Sequence, residues 1–322
     1  LKGWVTMKKI IISDITLKKT AENRDISLLF REKSAIANCA DKIGADVIEI
    51  PAVKSPREDK IIYKTIAQNV QNSILAIPVG FNCEDVAVAW DCIKDAKNPR
   101  LQIELPVSTI QMEYTYHVKQ AKMLEKITSL IKEAKSFCSD VEFSALDATR
   151  ADEDFLIAAV KEAENCGASM VTICDDAGAS TPDDIADLVA KVKEAITIPV
   201  FVQVSDHINM AVASAFSAIK CGADGLKCAM IGKDVLLTGE ISDAINACGA
   251  QIGAEIKLNN TKIHASIDDM LSSISHDGYE NEKAVSEGKK EFLKIEYKRL
   301  TTQKQTPWCE TSSCYNCGAC EN

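Results

Sequence analysis

Eight short apolar runs recur along this chain, and a stretch of helical periodicity follows each one. The runs lie at 9–13, 46–50, 74–79, 101–107, 140–144, 170–174, 200–204 and 225–230. The amphipathic stretches cover 34–43, 60–70, 86–94, 117–135, 152–166, 182–196, 210–221 and 236–248. Strands that read as apolar throughout are buried on both faces, and eight such units predict a parallel (β/α)8 TIM barrel. The phrases Ile43-Gly-Ala-Asp, Cys166-Gly-Ala and Cys221-Gly-Ala-Asp-Gly each end a helix before a strand. Glycine there supplies a left-handed helix cap. An open doubly wound sheet is the structural alternative, but no Gly-x-Gly-x-x-Gly follows the first run.

The rhythm stops near residue 255, which divides the chain into a barrel over 7–255, a charged helical extension over 256–300 and a cysteine-rich tail over 301–322. The formal net charge of −10 argues against a nucleic-acid or anionic-membrane surface, either of which needs a basic face. No apolar run reaches the length of a membrane span, and the run after Met7 is cut off by Asp14, too early for a secretory signal. Nine cysteines lie scattered outside the tail, as at Cys39, Cys138 and Cys221, which points to a reducing cytoplasm rather than a disulfide framework.

The other four of the 13 cysteines are Cys309, Cys314, Cys317 and Cys320. Thiolates this close together can converge on one centre. The spacing leads us to expect a [4Fe–4S] cluster, with a tetrahedral zinc ion as the alternative. A reduced tail without metal, or thiols poised for redox exchange, is the plainer reading.

Chemistry in such a barrel sits at the C-terminal strand ends. Those ends read Ser13-Asp-Ile-Thr-Leu-Lys-Lys, Leu105-Pro-Val-Ser-Thr-Ile-Gln-Met-Glu-Tyr, Val141-Glu-Phe-Ser-Ala-Leu-Asp-Ala-Thr-Arg-Ala-Asp and Ile173-Cys-Asp-Asp-Ala-Gly-Ala-Ser-Thr-Pro. From about Ile10 to Gly232 this succession resembles the barrels of isopropylmalate synthase, homocitrate synthase and hydroxymethylglutaryl-CoA lyase. The resemblance implies a divalent metal that chelates an oxo acid or acyl product and steadies an enolate. It also exposes departures. Lys18 and Lys19 stand where the family has an oxyanion-binding Arg and a metal-binding Asp. Gln203-Val-Ser205 replaces a His-x-His metal pair, Gln111 a histidine and Leu146 a glutamate, and 232–241 lacks an asparagine ligand. These departures lead us to expect no divalent metal at the barrel mouth.

Lys18, Lys19 and Lys227 then become the candidates for altered chemistry, either as Schiff-base lysines of depressed pKa or as fixed charges for a carboxylate or phosphate. Ordinary solvated lysines are the plainer reading. His207 is a candidate acid/base that could equally face solvent. Asp14, Gln111, Ser144, Asp175, Asp176, Gln203 and Ser205 are candidate substrate contacts, although Asp176 reads better as the ion-pair partner of a lysine. Two function classes stand. One is a divergent carbon–carbon lyase or acyltransferase acting on a small oxo acid or carboxylate, which the polar mouth favours. The other is an accessory protein whose tail carries a cluster or meets a protein partner. A second copy of the chain, as a homodimer, is one candidate partner.

Overall fold

The computed structural model describes residues 7–22, 28–258 and 263–273. Eight parallel strands close into a barrel in simple sequence order. They are β2 (Ile11–Asp14), β3 (Val47–Glu49), β4 (Ile74–Pro78), β5 (Pro99–Pro106), β6 (Val141–Leu146), β7 (Met170–Asp175), β8 (Val200–Val204) and β9 (Gly225–Cys228). Strand β9 pairs β2 from Ile11↔Gly225 to Asp14↔Cys228 and seals the barrel. The (β/α)8 expectation therefore holds.

Helices α1 (Thr16–Glu22), α2 (Phe30–Ile43), α3 (Pro56–Asn69), α4 (Cys83–Ile93), α5 (Gln120–Phe137), α6 (Glu153–Asn165), α7 (Pro182–Ala195), α8 (Ala211–Lys220) and α9 (Thr238–Ile252) fill the connections. Their starts are chemically marked. Thr181 accepts a hydrogen bond from the Asp184 amide and Asp152 one from the Phe155 amide, each satisfying a first-turn donor. Gly44, Gly167 and Gly222 all adopt positive φ after their helices, as the repeated Gly-Ala phrases predict.

One layer lies outside the eightfold rhythm. A short β1 (Lys8–Lys9) pairs β10 (Ala254–Glu255) and ties the chain entry to the end of α9 across the bottom of the barrel. Helix α10 (Ile263–Ser273) packs along α2, and its Ile263, Ile267 and Met270 join the main hydrophobic core. The start of the expected helical extension thus belongs to the barrel's outer wall. The rest of it and the tail cysteines lie outside the described residues.

The strands are not apolar throughout, which corrects the expectation from their composition. Along β5, Leu101, Ile103 and Leu105 are fully buried, while Arg100, Gln102 and Glu104 alternate with them. Alternation sends one set to the helices and the other into the barrel interior. The apolar core is the annulus between sheet and helices, and the barrel's centre is ionic.

Candidate active site

The interior charges form one connected cluster. The Lys227 ammonium on β9 is fully buried, 2.8 Å from Glu49 Oε1 and 2.6 Å from Glu142 Oε1. Ser13 donates to Glu49 Oε1 at 2.8 Å, while Ser144 and Thr172 donate to Glu142 Oε1 at 2.9 and 2.7 Å. Gln102 donates to the other Glu142 oxygen at 2.9 Å. Above this layer Lys18, from the first turn of α1, bridges Glu49 at 3.3 Å and Glu104. Charges this deep persist only when every one is matched, and here each carboxylate has a lysine.

Burial pushes the lysines and carboxylates toward their neutral forms, and their mutual attraction overrides it. Desolvation alone would lower the Lys18 and Lys227 ammoniums, yet Glu104 and Glu49 hold the first, and Glu142 and Glu49 the second, above the ordinary lysine value. Desolvation would raise Glu49 and Glu142, yet Lys227 keeps both below the usual carboxylate range. The depressed lysine pKa that Schiff-base chemistry requires is therefore not found at either residue.

Asp14 ends β2, fully buried, and accepts from the Thr16 hydroxyl at 2.9 Å and the Thr16 amide at 3.2 Å. Burial outweighs those bonds and raises its carboxyl to about 7. Asp175 accepts from Thr149 at 2.7 Å and from the Gly178 amide at 3.2 Å, and Ser205 donates to its carbonyl at 2.6 Å. Asp176 accepts from the Asp147 amide at 2.9 Å. Burial raises the Asp176 carboxyl, against the attraction of Lys19. Lys19 itself pairs with Glu22 at 2.9 Å. Gln203 neighbours Lys227 across the β8–β9 ladder. His207 packs against Gly178 beside Ser205, where a Cβ on that glycine would lie 2.3 Å from the histidine's Cδ2, and its Nδ1 is 3.5 Å from Asp234. Gln111 opens a π-helical turn, Gln111–Thr115, and its amide donates to the Ser108 hydroxyl.

Backbone strain gathers at the same end. The described non-glycine residues of positive φ are His117, Asp147, Asn209 and Asp234. All four lie on loops that leave strands β5, β6, β8 and β9 at the C-terminal face. Each such residue costs of order 1–3 kcal/mol, and this kind of strain clusters at ligand sites. Asp147 is locked by a bidentate pair with Arg150 at 2.8 and 2.7 Å and by the Ser108 hydroxyl.

Of the candidates named from the sequence, the structure puts Lys18, Lys227, Asp14, Ser144 and Gln203 in or beside one cluster, Lys19, Asp175, Asp176, Ser205 and His207 along one side of the mouth, and Gln111 on the rim. Sequence reasoning missed Glu49, Glu104, Glu142, Gln102, Arg100 and Asp147. The available signal was polar residues at every second position of an otherwise apolar strand, as in Arg100-Leu-Gln102-Ile-Glu104.

Fold and site define a (β/α)8 barrel with a charged, strained mouth at the face where such barrels carry out chemistry. The chain belongs to the HMGL-like family, whose model matches residues 9–291. It is 33% identical over 230 residues to 2-isopropylmalate synthase of Carboxydothermus hydrogenoformans, covering 70% of this chain and 45% of that protein. It is 32% identical over 266 residues to 2-isopropylmalate synthase of Dictyoglomus turgidum, covering 81% of this chain and 51% of that one. The chain thus spans about half the length of these curated relatives. Among solved structures, the HMG-CoA lyase of Brucella melitensis superposes with a TM-score of 0.70 at 13% identity, covering 84% of this chain and all of that one. An HMG-CoA lyase from Acinetobacter baumannii, solved with coenzyme A and 3-methylmalate, gives 0.69 at 13% identity over 86% of this chain and 94% of that one. At that identity the likeness is one of fold.

The cofactor expectations need correction. Among the described residues no group of three or more His, Cys, Asp and Glu side chains could hold a metal ion, so no iron–sulfur or zinc site is found. Cys309, Cys314, Cys317 and Cys320 lie outside the described residues, and the cluster expectation is withdrawn. The expectation of a mouth without a divalent ion is withdrawn as well. The chain belongs to a family whose resemblance implies such an ion. The carboxylates Glu49, Glu104 and Glu142 are engaged by lysines. Among the described residues no helix is long and apolar enough to cross a membrane.

Proposed function

We propose that this barrel makes or breaks a carbon–carbon bond in a small oxo acid or carboxylate, as a lyase or acyltransferase working at its C-terminal mouth. The observation that carries the reading is Lys18. Its side chain is 13% exposed, at the upper edge of the buried cluster, and Glu104 and Glu49 hold it protonated. A fixed cation there meets the negative charge of an enolate without reorganising, which is how preorganised sites lower such barriers. Lys19, beside Asp176, adds a second positive charge for the acid's carboxylate. Lys227 acts through Glu49 by fixing the carboxylate that orients Lys18. Asp14, Gln111, Ser144, Asp175, Asp176, Gln203 and Ser205 bound the space as substrate contacts or their supports.

In the cleavage direction the substrate hydroxyl loses its proton as the carbon–carbon electron pair moves onto the leaving fragment as an enolate. His207 is the candidate to take that proton, and reprotonation at carbon completes the turnover. The nine described cysteines are all free, which supports work in a reducing compartment such as the cytoplasm.

The test, in the bond-making direction, is release of free thiol from acetyl-CoA with 2-oxo acids of three to six carbons: the acetyl enolate adds to the oxo carbon, whose oxygen takes up a proton to become a hydroxyl, and water hydrolyses the thioester to free the thiol. At least one acid should give release above the acid-free control, falling by about a hundredfold in Lys18→Gln, the scale of losing one oxyanion contact. Absence of release with every acid, from protein that melts cooperatively, would remove the acyltransferase form of the reading.

A further inference from the structure

Tyr116 is a mouth residue that neither the composition nor the family resemblance singles out. It follows the π-helical turn Gln111–Thr115 on the loop leaving β5, the strand that carries Glu104. Single π-turns are rare and recur at functional sites. The next residue, His117, is held at φ 54, so the backbone on both sides of Tyr116 is in a sparsely populated conformation.

The ring itself is fixed from two other elements. It stacks on Phe81, from the loop after β4, with ring centroids 4.8 Å apart and an interplanar angle of 25°. Phe81 is held in turn by Lys126 of α5, whose ammonium lies 4.1 Å from the ring centroid and donates to the Phe81 carbonyl at 2.6 Å. Cation, ring and ring form a stack that closes one side of the mouth. A half-buried tyrosine held this firmly does more than fill space, because a phenylalanine would stack as well and lacks the hydroxyl.

That hydroxyl is a donor under all ordinary conditions. Burial raises the phenol above its usual value, and the charges of Glu104 and then Asp176 raise it further. Both acids already have partners, Glu104 in Lys18 and Asp176 in the Asp147 amide. The phenol therefore keeps a neutral O–H on the loop that leaves β5, the strand whose Glu104 pairs with the cation that the function above assigns to an acid substrate.

We infer that the Tyr116 hydroxyl donates a hydrogen bond to the carbonyl oxygen of a 2-oxo acid whose charge is met by Lys18. The inference rests on the reading of the mouth as an oxo-acid site and names the group that tells an oxo acid from a plain carboxylate. Phe81 is its positioning residue, acting through the stack.

The experiment is calorimetric titration of pyruvate, 2-oxobutyrate and propionate into the whole chain. Wild type should bind the two oxo acids more tightly than propionate. Tyr116→Phe should weaken oxo-acid binding by about tenfold, the worth of one hydrogen bond to a polar ligand, and leave propionate unchanged. Tyr114→Phe, altering a tyrosine 78% exposed on the same loop, should bind like wild type. Matching thermal melts confirm that both variants fold. Equal oxo-acid binding by wild type and Tyr116→Phe would overturn the inference while leaving the oxo-acid site intact. Failure of wild type to bind either oxo acid would overturn the oxo-acid site and the inference with it.

Discussion

At the scale of single residues, the molecule is built around charges that water never reaches. Asp14 tests how such a group reports on pH. Its folded carboxyl is raised to about 7, so between about pH 4 and 7 the folded chain holds a proton that the unfolded chain has released. Stability from this group is therefore greatest at low pH and falls as pH rises through that window, by up to about 1.4 kcal/mol per pH unit. Asp14→Asn keeps an acceptor for Thr16 and removes the titration. Its melting temperature should exceed that of wild type at pH 8 and lose that advantage by pH 4, and a constant difference across the range would contradict the assignment. Lys227 tests the cluster itself. Lys227→Met leaves Glu49 and Glu142 buried without their shared counterion, a change expected to cost about 3–5 kcal/mol. A urea midpoint within error of wild type would show that the cluster is not what holds the centre of the barrel together.

Among the elements, the closing pair β1–β10 depends on how closely α9 approaches it. A Cβ on Gly249 would lie 2.4 Å from the Ala254 carbonyl oxygen, a backbone atom that cannot swing aside. Gly249→Ala should therefore destabilise by about 1–3 kcal/mol, read from thermal melts, and a neutral result would mean that the C-terminal turn of α9 moves freely. The regular elements were legible in the sequence because each has its own periodicity and its own punctuation. Strand β8 matches the sequence reading residue for residue, and the Gly-Ala phrases marked three helix ends. Helix α1 was not legible. Seven residues bearing Lys18, Lys19 and Glu22 give no apolar repeat long enough to detect, yet that helix delivers the cation on which the site turns. The π-turn before Tyr116 was equally silent, since nothing in Gln-Met-Glu-Tyr-Thr distinguishes i→i+5 bonding from a loop. Glu49 and Glu142 escaped notice because short strands were judged by their apolar majority rather than by which face each polar residue occupies.

Over the whole molecule, the closed barrel explains why these residues meet. Glu49, Glu104, Glu142 and Lys227 come from four different strands, and only closure brings their side chains to one axis. The β1–β10 pair and α10 brace the outside, so the C-terminal face is left to shape the mouth. The candidate lysines could be read from a departure in pattern at Lys18 and Lys19, whereas their state could not. Sequence suggests neighbouring cations that depress one another, and the structure instead gives each buried lysine carboxylates that keep it charged. A fixed charge, rather than an amine nucleophile, is the chemistry this arrangement supports. The central claim is that this charge receives a small oxo acid, and titration calorimetry of 2-oxo acids into wild type and Lys18→Gln at pH 7 tests it most directly. The account predicts saturable binding to wild type, with affinity at least about tenfold lower in the folded variant, whereas no binding to wild type, or equal binding to both proteins, would contradict it.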